Sequence, residues 1–592
     1  MLFSDAAEYF SRIEATASRL EMSAIVAELL GKCDRNEARP LIYIIEGNIA
    51  PAHEGLDVGI GEKFAIRAIA QTSGRTEAQV AADSKKSGDL GTTAETFLAK
   101  KSQMSLASSP NELSKVYATF LKISRLSGSG SQEAKISFLS ELLNGATPLE
   151  AKYLVRFCLG KLRLGVGDPS IIDALSMMRH GDKKDKVVLE RAFNLCSDLG
   201  EVAEHYIAGS DLSRFSTQPF KPIRPALAER LPSSKEIIEK LGKCAVEAKY
   251  DGLRMQVHLQ NGEVEIYSRK LEKMTHMFPE IVSAASSLKI KSAIFEGEAL
   301  AYNVKEKRYY SFQETIQRKR KYGIEKMSEE FPLRLFVFDM MYLDGKDLTL
   351  APYSARRKTL EKLVRGSPTL VPSQQIITDS PKKLEEYFQA CIAEGLEGII
   401  AKDLTQPYVA GARKFAWIKL KKSYGDMADT VDAVIVGYYL GKGQRQEFEF
   451  GGLLAAVRNE ETGELETIAK IGSGFSEDEM VSFEKMLEKI KLAKKPKGVS
   501  SKLEPDFWVK PKYVITVAAD EITLSPMHTC GMLGDIQRSS GSSVYPTASR
   551  LNTGYALRFP RMMSLRDDKG PDEATTTKEI IELFEMQRRR GE

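Results

Sequence analysis

The side chains best suited to group-transfer chemistry are spread over residues 247–421, and their order matters as much as their types. Glu247-Ala248-Lys249-Tyr250-Asp251-Gly252-Leu253-Arg254 continues a run with strand alternation, which puts Glu247 and Lys249 on one face and Val246 and Ala248 on the other. Ser268-Arg269-Lys270 closes the next strand, and Glu296-Gly297-Glu298 sets two carboxylates on one face of a third. Phe336 and Phe338 are expected to share a face in LRLFVFD, and Glu397-Gly398 opens the strand EGIIAK. In Trp417-Ile418-Lys419-Leu420-Lys421 the odd positions gather a tryptophan and two lysines while Ile418 and Leu420 face the core. A lone K-x-D-G arises readily by chance. A charge inside an apolar strand, however, is costly unless paired or ligand-bound. One such residue is explained by an ordinary salt bridge; Lys249, Glu298, Glu397 and Lys419 together point to a polar site.

These strands need a scaffold, and the rest of the chain supplies one. With 592 residues the chain is long enough for three or four domains, and its 42% hydrophobic and 28% charged content is that of a globular protein. Residues 1–216 read as an all-α domain: apolar residues recur at helical spacing in AAEYFSRIEATASRL, ELSKVYATFLKISRL and EAKISFLSELL. Turns fall at Ser127-Gly128-Ser129-Gly130-Ser131, at Asn144-Gly145 and at Gly165-Val166-Gly167-Asp168-Pro169. The proline-rich stretch Gln218–Pro225 reads as a linker. Beyond it, residues 217–424 alternate short strands (CAVEAKY, VEIYSRK, AIFEGEALAY, LRLFVFDMMYL, EGIIAKD) with helices (SARRKTLEKLV, KKLEEYFQACIAEG), the pattern of an α+β domain. Residues 425–592 contain short strands with Gly-rich turns, including a hairpin at Glu461-Thr462-Gly463. They are expected to form a small β-barrel followed by a capped helix.

Composition removes several function classes. The six cysteines form no C-x-x-C pair, which argues against a zinc module and leaves reduced, buried thiols as the expectation. The N-terminus reads as an amphipathic helix rather than a signal peptide, and no apolar run approaches the ~18 residues of a membrane span. A soluble cytoplasmic protein is expected, nucleoid-associated if prokaryotic. The formal net charge of +4 means that any nucleic-acid surface must be a local patch. No G-x-x-x-x-G-K-[ST] is present, so P-loop nucleotide binding has no support.

The six central elements, in this order, resemble the motifs of the covalent nucleotidyltransferases: DNA ligases, RNA ligases and capping enzymes. The flanks narrow the resemblance. Glu46-Gly47-Asn48-Ile49-Ala50-Pro51 through Glu62, Glu150–Arg156 and Lys161–Gly167 are similar to signatures of archaeal and eukaryotic replicative ATP-dependent DNA ligases, and Arg566-Asp567-Asp568-Lys569 matches their last motif, R-x-D-K. The fold implied is a helical DNA-binding domain, an adenylation domain and a C-terminal OB-fold.

The resemblance also implies roles. Lys249 is the nucleophile that takes AMP from ATP, and Glu247 reads adenine. Phe338 stacks on the base. Arg269 engages the ribose and later the nick 5′-phosphate. Glu298 and Glu397 serve as ribose or metal carboxylates, with Mg²⁺ as the expected ion and Mn²⁺ as an alternative. An ordinary amine, with a pKa of ~10.4, is protonated at neutral pH, so a lysine nucleophile needs desolvation or nearby cations. Arg254, Lys419 and Lys421 are placed to supply that field and to hold phosphates, and Arg413 matches a further family arginine. Counting alternation from Glu397 places Lys402 on the opposite strand face. Arg566 and Lys569 orient the leaving pyrophosphate. Nicked duplex DNA is the implied partner, met by Lys161, Arg163, Gly165, Ser129 and Asp251. The activity implied is nick sealing in DNA replication, repair and recombination by a monomer. Family members often bind a sliding clamp, but no matching glutamine–aromatic box stands out. The rival readings are an RNA ligase or capping-type guanylyltransferase, and a catalytically silent DNA-binding scaffold.

Overall fold

A computed structural model describes the chain except for residues 17, 101–109, 161, 232, 304–307, 311–314, 316–317, 319–323, 422–429, 442–449, 493, 533–552, 568 and 590–592. It resolves into two compact units, Met1–Lys421 and Lys422–Glu592.

Among its described residues from Phe3 to Ile207, the first part of the larger unit is built of helices, as the helical periodicity predicts. Start signals sit where the physics wants them. Asp34 with Glu37 and Thr147 with Glu150 form capping boxes, and Pro148 occupies the first turn of its helix. The apolar stripes close on one core that includes Phe10, Ile42, Phe120, Tyr153 and Leu175. Two of the signature stretches meet. Gly47 ends its helix at φ +72°, and a Cβ there would lie 4.0 Å from the Leu162 nitrogen and 3.7 Å from the carbonyl group of Gly160 just before that stretch.

The segment read as a linker is lashed down rather than free. Ile223 exchanges two hydrogen bonds with the Gln256 side chain, Phe220 N–H donates to His258 Nδ1, and Tyr267 Oη donates to the Phe220 carbonyl. Prolines there leave few backbone donors for a ladder, so side chains of the neighbouring strands satisfy what remains.

Two sheets follow. The strands are β1 (Leu227–Arg230), β2 (Cys244–Lys249), β3 (Leu253–Gln260), β4 (Glu263–Ser268), β5 (Ser292–Asn303), β6 (Arg308–Tyr309), β7 (Leu333–Leu343), β8 (Lys346–Asp347), β9 (Leu370–Pro372), β10 (Gln375–Thr378), β11 (Gly398–Asp403) and β12 (Arg413–Lys421). One sheet has the order β1-β12-β11-β2-β10. The other runs β4-β3-β5-β7-β8, with β6 beside β5 and β9 beside β7. In the five-stranded sheet Val246, Ala248, Ile399, Ala401, Ile418 and Leu420 pack into one apolar cluster with the helix Pro381–Ala393. The alternate residues of β2, β11 and β12 therefore face the other way, towards the seven-stranded sheet.

The second unit is rich in β structure: β13 (Val431–Tyr439), β14 (Gly452–Arg458), β15 (Leu465–Ile471), β16 (Lys491–Leu492), β17 (Val499–Ser500), β18 (Phe507–Val509), β19 (Val514–Ala518), β20 (Glu521–Ser525), β21 (Gly554–Arg558) and β22 (Arg561–Arg566). The main sheet has the order β16-β18-β13-β14-β15-β17, with β19 bridging β13 and β22. The expected turn at Gly463 (φ +72°) joins β14 to β15. The last helix starts only at Thr577, after a short turn at Pro571–Glu573. Among the described residues no helix is long and apolar enough to cross a membrane. All six cysteines are free thiols, five of them buried.

Candidate active site

Lys249 ends β2 on the face turned away from the apolar cluster, as alternation requires. Its Nζ donates to Glu397 Oε2, and Lys421 Nζ reaches the other oxygen of the same carboxylate. The Lys249 side chain is 19% exposed, so the amine is sheltered yet reachable. Burial works against the Glu397 carboxylate, but the charges and hydrogen bonds of Lys249 and Lys421 outweigh it and hold its pKa below the usual range.

A backbone feature brings Glu397 here. Its N–H donates to the Lys249 carbonyl at 3.0 Å, and the next residue, Gly398, adopts φ +145°. A Cβ on Gly398 would lie 2.2 Å from the Leu420 carbonyl oxygen, so only glycine fits. Glu397 thus lies just before β11, and a face count started from it misplaces the strand. Lys402 pairs in register with Ala245, two residues from Glu247, and lies on the Lys249 face. That corrects the expectation for Lys402.

Glu247 is almost fully buried and well provided with donors. Lys402 Nζ lies 3.0 Å from Oε2, Tyr353 Oη donates to Oε1, and Arg357 approaches the same oxygen at 3.4 Å. Tyr353 and Arg357 lie one helical turn apart on the helix Tyr353–Leu363, which packs on β7.

The seven-stranded sheet supplies the opposite wall. Arg254 donates to Glu296 Oε2 at 2.8 Å and to the Ala226 carbonyl at 3.0 Å, and its guanidinium faces the rings of Phe338 and Trp417. Tyr408 and Gln256 also donate to Glu296, so that carboxylate is fully engaged. Glu298, its neighbour on the same face, differs. Burial first and the charge of Asp251 second push its carboxyl up to about 7, against the pull of Lys249, Arg254 and a backbone hydrogen bond from Gly252. A register shift between β5 and β7 occurs at Glu296/Gly297. There Phe336 stacks on Tyr250 at 4.2 Å, whereas Phe338 meets Trp417 edge-on at 5.9 Å and stays half-buried. The two phenylalanines therefore serve different clusters, and Phe338 is the one beside the cleft.

The remaining positions divide. Lys419 and Lys421 lie on the Lys249 side of β12, paired in register with Ile400 and Gly398. Arg269 is exposed just after β4. The Arg413 backbone pairs with Leu227, and its side chain lies outside the described residues. In the helical part Leu162 and Leu164 are buried anchors that leave Arg163 and Gly165 exposed between and after them. Arg163 (φ +61°) donates to the Gly88 carbonyl at 3.2 Å, and Ser129 is exposed in its turn. Lys161 lies outside the described residues. In the second unit Arg566 and Lys569 both close on Asp432 Oδ2, at 3.2 and 2.7 Å.

For a divalent cation, Glu298 beside Asp251 is the fitting donor set: burial holds the Glu298 carboxyl up despite Lys249 and Arg254, and a bound cation would offset that cost. Glu397 would have to release a lysine to join it. Among the described residues no three acidic, histidine or cysteine side chains group closely enough to hold a metal alone. Mg²⁺ or Mn²⁺ would share this site with phosphate oxygens, as Mg²⁺ commonly does. Tyr353, Arg357, Tyr408 and Gln256 are the site residues that motif reading missed, because their partners are far away in sequence.

Three family models match in order: residues 2–176 match "DNA ligase N terminus", 225–421 "ATP dependent DNA ligase domain" and 446–569 "ATP dependent DNA ligase C terminal region". A probable DNA ligase of Dictyoglomus turgidum is 46% identical over 599 residues, spanning 100% of this chain and 98% of that protein. A DNA ligase of Saccharolobus solfataricus is 39% identical over 602 residues, spanning 99% and 98%. Among solved structures, one designated Pmar-Lig_PreS3 aligns with 95% of this chain and 99% of its own at a TM-score of 0.53 and 15% identity, a likeness of fold.

Proposed function

Since the chain belongs to the ATP-dependent DNA ligase family, we propose that it seals single-strand nicks in duplex DNA through AMP carried on Lys249. The observation that supports this most is the placement of Lys249 Nζ: sheltered between two sheets and bonded to Glu397, in a cleft that also holds Phe338, Glu298 and Arg254.

In the first step Lys249 Nζ forms a bond to the α-phosphorus of ATP, and the α–β P–O bond breaks with its electron pair leaving on pyrophosphate. The amine must shed a proton, and Glu397 Oε2 is the acceptor within reach. Lys421 stays on Oε1 and neutralises the site. Phe338 stacks on the base and Glu247 reads its edge, while Arg269 holds the ribose. Arg254, Lys419 and Arg413 counter phosphate charge. Glu298 is the carboxylate for a divalent cation, which when bound neutralises phosphate charge and polarises the phosphoryl oxygens. In the second step an oxygen of the nick 5′-phosphate attacks the AMP phosphorus, the P–N bond breaks, and the amine takes back a proton. In the third the 3′-hydroxyl attacks the activated 5′-phosphate, AMP departs, and the backbone is closed. Positioning and charge neutralisation carry all three steps.

The limits 1–216, 217–424 and 425–592 are our working division into DNA-binding, adenylation and OB-fold domains. Arg566 and Lys569 assist pyrophosphate departure. Arg163, Gly165, Ser129, Lys161 and Asp251 meet the DNA backbone, where contacts carry no sequence information and suit an enzyme acting at any nick. The reading extends to a monomer serving replication, repair and recombination, with a sliding clamp as a candidate partner.

The test is labelling with ATP radioactive at the α-phosphate, then a chase with nicked duplex DNA. The chain takes up label, and the nick discharges it. Lys249→Ala takes up none, yet closes a nick that already carries 5′-AMP. Label retained in Lys249→Ala, or loading from GTP in preference to ATP, would overturn the proposal.

A further inference from the structure

Lys402 is the least expected member of the site. Its side chain is 1% exposed, and its ammonium touches both residues to which base recognition has been given. Nζ lies 3.0 Å from Glu247 Oε2 and donates to the Phe338 carbonyl oxygen at 2.9 Å. Three aromatic faces enclose it, with ring centroids at 4.9 Å (Phe338), 4.8 Å (Tyr353) and 4.3 Å (Trp417). One cation thus ties a strand of the five-stranded sheet to β7 and joins the acid that reads the base to the ring that stacks on it. Burying a lysine this deeply is costly, and a methionine would fill the same volume. The position therefore calls for an explanation beyond packing.

We propose that Lys402 is a positioning residue for nucleobase selection, holding Glu247 as an acceptor-only carboxylate so that the pocket takes 6-aminopurines and rejects 6-oxopurines. The inference rests on the ligase reading above and deepens it. A carboxylate offers about four lone-pair sites. Lys402, Tyr353 and Arg357 fill three, all as donors. The place that remains accepts an N–H, which the exocyclic amine of adenine supplies. Guanine or hypoxanthine would bring a carbonyl oxygen against a negative oxygen, with no donor between them. One feature keeps the arrangement from inverting. An ammonium has no acceptor capacity, so Lys402 never competes with Glu247 for the base. With Lys402 removed, Glu247 Oε2 loses the donor that fixes its orientation, the carboxylate can turn, and its preference relaxes.

The experiment measures AMP and IMP loading onto the full chain from ATP and ITP, as kcat and KM separately. A pocket built around one hydrogen bond separates such analogues by about 10⁴-fold. Lys402→Met is expected to raise KM for ATP about tenfold with a smaller effect on kcat, and to narrow the ATP-to-ITP ratio of kcat/KM at least about tenfold. Lys402→Arg, which keeps the cation, holds the ratio within a few-fold of wild type. Should Lys402→Met not fold, Tyr353→Phe removes one donor from Glu247 and must narrow the same ratio. If ATP and ITP loading fall by one common factor, or the ratio stays at the wild-type value, Lys402 is merely structural and the proposal is wrong. A wild-type chain that accepts AMP from neither nucleotide sinks the ligase reading instead.

Discussion

Lys249 and Glu397 form an ion pair across the join of β2 and β11, with the Glu397 N–H bonded to the Lys249 carbonyl and the two side chains meeting above it. An attacking lysine must lose its proton, and here the acceptor is already in contact. Glu397→Gln keeps the shape of the side chain and removes its basicity. General base assistance is worth ~10²–10⁴-fold, so single-turnover AMP loading by Glu397→Gln should slow by that range. The sealing of nicks that already carry 5′-AMP should change far less, since that step needs no lysine deprotonation. Equal loss in both assays would assign Glu397 to the general architecture of the cleft.

Glu298 gives the apoprotein a pH signature of unusual sign. Its carboxyl is raised from 4.5 to about 7, so between those values the folded chain holds a proton that the unfolded chain releases. Stability then falls as pH rises from about 4.5 to about 7 and is level above, the reverse of an ion-paired carboxylate. Glu298→Gln should flatten that slope and melt higher than wild type above pH 7, while losing AMP loading. In the wild type, loading should climb as Glu298 ionises near pH 7. Thermal melts from pH 5 to pH 8 on both proteins check the sign, and a wild-type melt that rises across that window relative to Glu298→Gln would contradict it.

In the second unit Asp432 holds both basic residues of the R-x-D-K element, and Thr516 and Thr575 brace it. Burial opposes its charge, but Lys569, Thr516 and Arg566 keep its carboxyl below the ordinary range. If Arg566 and Lys569 assist pyrophosphate departure, they must leave this carboxylate to do so. Asp432→Asn should therefore load AMP at least as fast as wild type. Arg566→Ala and Lys569→Ala should lose loading and retain closure of pre-adenylylated nicks. Slower loading by Asp432→Asn would make the carboxylate a structural anchor alone.

Much of the site was legible because alternation in a strand is a strict rule. Glu247 with Lys249, and Trp417 with Lys419 and Lys421, share faces as their spacing dictates. Reading failed where the backbone departs from the rule. Lys402 was misplaced because Gly398 turns the chain at the start of β11, whereas Phe336 and Phe338 do share the face opposite Leu335 and Val337, though they pack into different clusters. Other contacts lie beyond any local pattern. Tyr353 lies 106 residues from Glu247, and Tyr408 lies 112 from Glu296, so nothing short of the fold brings them together. The proline-rich stretch 218–225 has the composition of a linker, yet Gln256, His258 and Tyr267 reach out from β3 and β4 to fix it.

The same glycine offers a test of how the site is assembled. Gly398 holds φ +145°, where a side chain is strained, and a Cβ would press on Leu420 O at 2.2 Å and Lys421 Cα at 2.9 Å. Both neighbours are backbone of β12, so they cannot rotate aside. Gly398→Ala must shift β11 from β12 or flatten the turn, and either movement takes Glu397 off Lys249 and Lys421. Backbone strain of this kind costs ~1–3 kcal/mol, and the overlap adds to it. For the Met1–Lys421 unit that is a fall in melting temperature of several degrees. Activity should suffer more than stability, because the lost pair belongs to the chemistry: AMP loading should drop at least about tenfold at a temperature where the variant is fully folded. A variant that melts lower but loads AMP at the wild-type rate would show that Glu397 reaches the lysine without this turn.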